Sequence, residues 1–288
     1  MRYAISVQYI GKNYAGSQIQ FENGKQIDSP TIQGELEKAL STLIYAKQCG
    51  AGENLQEQNS PSKARLLRQE TISDCTNGEV NANNKRPIKA IFSGRTDKGV
   101  NSVGQVVHFD TDKTLVASKF LYSINEILPD DISVSDLKLV DKSFHAQKSA
   151  KKRHYRFEFI NRRCKNAFDG DLMRVKFKTD KERMQKSLNY LLGEHDFSSF
   201  KSSGTLNPSK ICHIYEAKVS KVGDKVIIDI IGNRFLYNMV RAIVGTLIEI
   251  EGHKLAPEHM LEVLEAKDRR KAGMTVSPYG LTLMKVMY

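Results

Sequence analysis

Polar and apolar residues alternate from Ala4 to Tyr9, with Ile5, Val7 and Tyr9 on one side and Ala4, Ser6 and Gln8 on the other. Gly11 closes the run, so a half-buried strand is predicted. The period then changes. Ile32, Leu36, Leu40 and Leu43 recur at helical spacing behind Ser29-Pro30, which predicts a helix with Ser29 as N-cap and Pro30 in its first turn. Strands over 88–92 and 105–110 flank a glycine-punctuated loop over 93–104, and a helix over 118–126 stops at Leu128-Pro129. The second half opens on a basic strand over 152–160, in which Arg153, Tyr155, Phe157 and Phe159 share one face and His154, Arg156 and Glu158 the other. Then follow a helix over 181–192 with Gly193 as its C′ residue, strands over 214–220 and 225–231, and a turn at Gly232-Asn233. A long amphipathic helix over 234–250, a helix over 257–266 and a strand over 282–286 complete the pattern. Each half reads strand, helix, strands, helix, the signature of an α+β fold with a mixed, mainly antiparallel sheet.

One stretch breaks the pattern. Residues 47–86 hold six Asn and four Gln, no aromatic residue, and only Leu55, Leu66, Leu67, Ile72 and Val80 as large apolar residues. So little apolar surface cannot offset the entropy of ordering, and an inserted, mostly disordered surface loop is predicted there. The 288 residues are enough for about two lobes, which we assign to 1–142 and 143–288.

Lys and Arg number 44 against 33 Asp and Glu, a net charge of +11. The 47–86 stretch has six basic and five acidic residues, so +10 of that charge belongs to the remainder. A basic folded part predicts a polyanionic partner, nucleic acid ahead of an anionic membrane surface. Apolar runs such as 226–231 are strand-sized and interrupted by Asp229, far short of the ~20 residues that cross a bilayer. The opening residues lack the continuous apolar stretch of a signal peptide. Cys49, Cys75, Cys164 and Cys212 lie far apart with no CxxC pair, which predicts reduced thiols in a cytoplasmic protein and no zinc site. Gly94, Gly99 and Gly104 are spaced five apart, unlike either nucleotide-binding glycine pattern, so no cofactor is expected. His145, His195 and His213 have no metal-ligand spacing and read as structural.

Three constellations could carry chemistry. Ser93-Gly94-Arg95-Thr96-Asp97-Lys98-Gly99-Val100 places a carboxylate between strands, beside two cations and among glycines that permit close backbone approach. The cations favour an ionised Asp97, a nucleophile or base at neutral pH, although an Asx-turn would use the same residues. Residues 148–165 hold eight Lys or Arg and one acid; an aromatic ring among them, Tyr155, suits base stacking while Lys151, Lys152 and Arg153 hold phosphates. An ordinary strand with a solvated basic end fits equally. In the long helix, Phe235, Met239, Ile243, Leu247 and Ile250 make a core stripe, whereas Asn238, Arg241 and Gly245 make another. Arg241 there must sit at a rim or pair with an acid.

Ser93-Gly94-Arg95-Thr96-Asp97-Lys98-Gly99-Val100 followed by Gly104-Gln105-Val106-Val107-His108-Phe109 resembles the TruA family of tRNA pseudouridine synthases. The likeness continues through Gln33 with Leu36-Glu37-Lys38-Ala39-Leu40, Phe144-His145-Ala146, Arg153-His154-Tyr155-Arg156-Phe157 and the segment from Leu192 to Phe200. Met239-Val240-Arg241, Ile243-Val244-Gly245, Ala266-Lys267-Asp268-Arg269 and Gly280-Leu281-Thr282-Leu283 extend it to the end, with only 47–86 lacking a counterpart. Two departures stand out: Asn101 replaces a usual His, and Ser17 a common Trp.

The resemblance implies a pseudouridine synthase fold of two RRM-like α/β halves around a central cleft. It implies a homodimer acting on tRNA uridines in the anticodon stem-loop, at tRNA positions 38, 39 and 40. It further implies Asp97 as the catalytic carboxylate, Tyr155 as the ring that stacks on the target uracil, Arg241 as the partner of Asp97, Arg95 as an arginine that helps extrude the base, and Leu283 as a substrate contact. Isomerising uridine involves no redox change and no phosphoryl transfer, consistent with the expectation of no cofactor and no metal. A zinc deaminase would need an HxE and a PCxxC motif, and neither is present.

Overall fold

The computed structural model describes residues 1–22, 25–26, 29–45, 87–202 and 209–288. The predicted loop over 47–86 lies outside the described residues. Strand β1 (Arg2–Tyr9) is followed by the two-residue strands β2 (Phe21–Glu22) and β3 (Lys25–Gln26), helix α1 (Ile32–Tyr45), β4 (Ile91–Phe92), β5 (Asn101–Asp110), helix α2 (Ala117–Ile127) and β6 (Ile132–Val140). The second half runs β7 (Lys152–Asn161), β8 (Arg174–Val175), α3 (Lys181–Asn189), β9 (Gly193–Asp196), β10 (Ile211–Val222), β11 (Lys225–Gly232), α4 (Met239–Gly252), α5 (His259–Ala266) and β12 (Leu281–Met287).

One mixed, mainly antiparallel sheet joins both halves, in the order β6-β1-β5-β12-β7-β11-β10-β9. The seam is the parallel pair β5–β12, where Asn101 faces Thr282 and Ser102 faces Leu283. The last strand therefore returns to the centre of the sheet and stitches the halves together. The core divides at this seam into two clusters. Tyr3, Ile5, Val7, Leu36, Leu40, Phe92, Phe109 and Ile124 belong to the first, and Phe157, Phe159, Leu188, Phe200, Ile228, Ile243 and Leu247 to the second.

Local sequence accounts for most elements. In α1 the buried stripe is Ile32, Leu36, Ala39, Leu40 and Ile44; Leu43 is half-buried, because Ile44 lies nearer the centre of the apolar arc. Its cap is Thr31 rather than Ser29, since the Thr31 hydroxyl accepts the Gly34 N–H at 3.1 Å. On β7, Phe157 and Phe159 are fully buried, while His154 and Arg156 on the opposite face both reach Asp229 of β11. That pairing explains the acid that interrupts the apolar run. Gly193 begins an edge strand instead of ending a helix, although its φ of +95° is the left-handed value a C′ glycine would have.

The candidate active site

The loop Ser93–Val100 joins β4 to β5 and ends where the seam begins at Asn101, and buried polar groups hold both of its flanks. Ser93 Oγ donates to Gln105 Oε1 at 2.5 Å, and Gln105 Nε2 donates to the Gly94 carbonyl at 2.9 Å. The Thr96 hydroxyl and Tyr9 OH lie 2.8 Å apart. Ser17, fully buried, brackets Thr96: its hydroxyl accepts the Thr96 N–H at 2.8 Å, and its own N–H donates to the Thr96 carbonyl at 3.1 Å. Past the carboxylate, Gly99 adopts φ +81°, where a Cβ would lie 2.8 Å from Pro278. Asn101 Oδ1 then accepts the Gly11 N–H at 2.9 Å, and its amide donates to the Tyr279 carbonyl at 3.3 Å. Both departures from the family pattern are thus built into the mounting of this loop.

Asp97 itself is left half-buried, and no hydrogen bond or ion pair to its carboxylate is found among the described residues. Burial raises its carboxyl above the usual range, and the charges of Arg241 and Arg95 pull it down without cancelling the rise. Charge alone had predicted the opposite balance, because a sequence does not reveal that the loop is recessed.

Arg241 sits in the first turn of α4, not deep within a helix starting at 234. The chain from 234 to 238 is a turn, and Asn238 caps the helix in the left-handed region, at φ +60°. Arg241 Nε donates to the Val276 carbonyl and its Nη1 to Asn238 Oδ1, both at 2.7 Å. The stripe of Asn238, Arg241 and Gly245 is the face on which the 272–276 segment rests. A Cβ on Gly245 would lie 1.7 Å from the Met274 carbonyl oxygen.

Asp97, Arg95, Tyr155 and Arg153 line one cleft of about 380 Å³, together with Arg234, Asn238 and Leu281. The Tyr155 ring packs edge-on against Phe235, centroids 5.1 Å apart. Burial, then the neighbouring Tyr9 and Asp97, raise its phenol further above its ordinary value. Other expected site residues lie elsewhere. Leu283 is buried in the sheet and Leu281 faces the cleft in its place. Strand alternation turns Lys152 away from Tyr155, its ammonium 4.3 Å from the centre of the Tyr215 ring. Lys151 is exposed outside the cleft. Sequence reasoning missed Tyr9, Arg234 and Leu281; the Gln105 and Ser17 positions were visible only as pattern and exception. No group of three or more potential metal ligands occurs among the described residues.

The sequence profile of a tRNA pseudouridine synthase family matches residues 188–288. Along its full length the chain is 35% identical to tRNA pseudouridine synthase A of an Exiguobacterium species, covering 100% of this chain and 98% of the relative. It is 34% identical to the enzyme of that name from Colwellia psychrerythraea, covering 100% and 94%, and 33% to that from Bacillus subtilis, covering 100% and 99%. The mixed α+β fold is thus that of a pseudouridine synthase. The chain belongs to the tRNA pseudouridine synthase A family, isomerases that convert uridine to pseudouridine in tRNA.

Proposed function

We propose that this enzyme acts on uridines of the tRNA anticodon stem-loop, at tRNA positions 38, 39 and 40, as a cytoplasmic homodimer, with Asp97 performing the chemistry. The observation that carries the reading is the shared cleft, in which the Asp97 carboxylate, the Tyr155 ring and the Arg95 guanidinium meet. The reaction breaks N1–C1′, turns the uracil and forms C5–C1′; the C5 proton leaves to solvent and N1 gains one in its place. Asp97 serves as nucleophile at C1′ or as base at the C2′ proton. A target inside a stacked loop must be extruded, and Tyr155 supplies the replacement stacking surface. Arg95, exposed at the mouth, enters the helix as the base leaves, and Arg241 stabilises the ionised Asp97 through space. The exposed Lys151 contributes to the phosphate grip. Among the described residues no helix is long and apolar enough to cross a membrane.

Pseudouridine mapping in tRNA from cells with and without the gene tests this reading. Loss confined to anticodon stem-loop uridines, restored by wild type and not by Asp97→Asn, is the expected result. Restoration by the variant would overturn the assignment of Asp97, and loss at a different tRNA region would overturn the substrate site.

A further inference from the structure

Arg153 lines the cleft two residues before Tyr155, and its basic character invites a role on phosphate. Its hydrogen bonds point elsewhere. Nη1 donates to the carbonyls of Ala150 at 3.1 Å and Asn233 at 2.6 Å; Nη2 donates to those of Ser93 and Gln147, each at 3.1 Å. A guanidinium has five N–H donors, four of them on the two terminal nitrogens. All four are therefore committed to main-chain oxygens, and a bidentate grip on phosphate, whether through both terminal nitrogens or through Nε and one of them, needs at least one of the four free.

The four carbonyls belong to three different walls of the cleft, and each is anchored behind. Ser93, which opens the Asp97 loop, is fixed by its side chain on Gln105 and by its N–H on the Val106 carbonyl at 2.8 Å. Asn233, in the turn that leads to Asn238 and Arg241, exchanges bonds with His213: its N–H donates to the His213 carbonyl at 3.0 Å and its Oδ1 accepts the His213 N–H at 2.9 Å. Gln147 lies in a turn held by His145, whose Nδ1 accepts the Gln147 and Lys148 N–H groups. Ser93 belongs to the first half of the chain and Asn233 to the second, so one side chain spans the seam between them. This guanidinium bonds both to the start of the Asp97 loop and to the turn that leads to Arg241.

We propose that Arg153 is a positioning residue that clasps three walls of the cleft to hold Asp97, Tyr155 and Arg241 in register, and is not a phosphate contact. The inference rests on the reading of Asp97 as the reactive group. Lysine cannot reproduce it, since one ammonium cannot reach four carbonyls arranged around a planar fork.

The test compares Arg153→Lys and Arg153→Gln with Asp97→Asn, using tritium release from C5-labelled tRNA and the salt dependence of tRNA binding. The clasp predicts at least a tenfold loss of kcat in both Arg153 variants, with Kd and the slope of log Kd against log salt unchanged. If Arg153→Lys kept full kcat, or if Arg153→Gln lowered the slope by about 0.9, the value for one duplex phosphate contact, the clasp would be overturned. Should Asp97→Asn remain active, the reading of the site fails instead, which separates the two failures. Should the Arg153 variants not fold, the wild-type protein decides by NMR. Slowly exchanging Arg153 Nη protons that do not shift on adding an anticodon stem-loop RNA support the clasp; a shift on binding overturns it.

Discussion

Gly245→Ala is the most demanding test of how Arg241 is held. Ala is normally the better helix residue, by about 1 kcal/mol. Here the new methyl carbon would sit 1.7 Å from the Met274 carbonyl oxygen and 2.9 Å from its carbon, against an ordinary contact of 3.4 Å or more. The 272–276 segment must move outward, which its exposed Met274 side chain allows. It is tied to α4 by the Gly273 N–H on Thr246 Oγ1 at 2.9 Å and by the Val276 carbonyl under Arg241 Nε at 2.7 Å. Losing the first costs about 1 kcal/mol and the second, from a charged donor, about 1.5–3 kcal/mol. Net of the helix-propensity gain, the variant should lose about 1.5–3 kcal/mol, a fall in Tm of roughly 3–12 °C. Because the displaced carbonyl is an anchor of Arg241, kcat should fall at least tenfold while tRNA affinity stays nearly constant. Thermal unfolding and single-turnover kinetics measure both. Gly34→Ala in α1 is the comparison, since a Cβ there meets only the Thr31 side-chain hydroxyl, at 3.2 Å, and no backbone atom. If Gly245→Ala lost no more stability than Gly34→Ala, the close approach and the argument built on it would be refuted.

Asp97→Asn should abolish turnover with tRNA affinity changed less than tenfold, about 1.4 kcal/mol. It should also stabilise the protein at neutral pH. The folded carboxyl is raised, so stability present below the ordinary carboxylate pKa is lost as pH climbs through the raised value, and the Asn variant escapes that loss. A Tm advantage for Asn at pH 7 that disappears near pH 3.5 is the expected result; an advantage only in acid would contradict it. Ser17→Ala strands the buried Thr96 N–H and should cost about 1–3 kcal/mol in urea unfolding, with kcat falling more than KM rises. Tyr155→Phe should bind tRNA normally, whereas Tyr155→Leu should lose both binding and turnover, the stacking surface being worth roughly 1–3 kcal/mol. Full turnover by the Leu variant would make Tyr155 a packing residue.

Elements whose periodicity is set by one core face were legible in the sequence: β1, α2, the Phe157 and Phe159 face of β7, and β11. Strand β6 was missed because its alternation changes phase. Ile132 and Val134 point inward, Asp136 adopts φ +63°, and the register against β1 slips between Ile5 and Ser6, so no single period runs through it. Strand β5 starts at Asn101, earlier than the apolar pattern implied, because its first residues pair with β12 from the far end of the chain. The Asp97 loop was visible through its glycines and charges. Its electrostatic setting was not, since Arg241 reaches it only through the fold, and the four terminal donors of Arg153 are spent on main-chain oxygens that leave no trace in side-chain identity.

Two recessed aspartates of this protein show what distinguishes the carboxylate proposed to react from one that only holds the sheet together. Asp229 is half-buried and accepts hydrogen bonds from His154 at 2.7 Å and from Arg156 at 2.9 and 3.1 Å. Burial would raise its carboxyl, yet the bonds from Arg156 and His154 overcome that and hold it low. Its lone pairs are occupied, and a carboxylate so satisfied is stable and a poor nucleophile. Asp97 is recessed as well, but receives charge from Arg241 and Arg95 only through space, and burial prevails. Through-space charge favours the ionised state without occupying an oxygen. The lone pairs of Asp97 remain open, as the proposed attack on the ribose requires, at a cost in stability that the polar mountings on Ser17, Gln105 and Asn101 offset. That division of labour, hydrogen bonds for the loop and through-space charge for the carboxylate, is what leaves the Asp97 oxygens unoccupied.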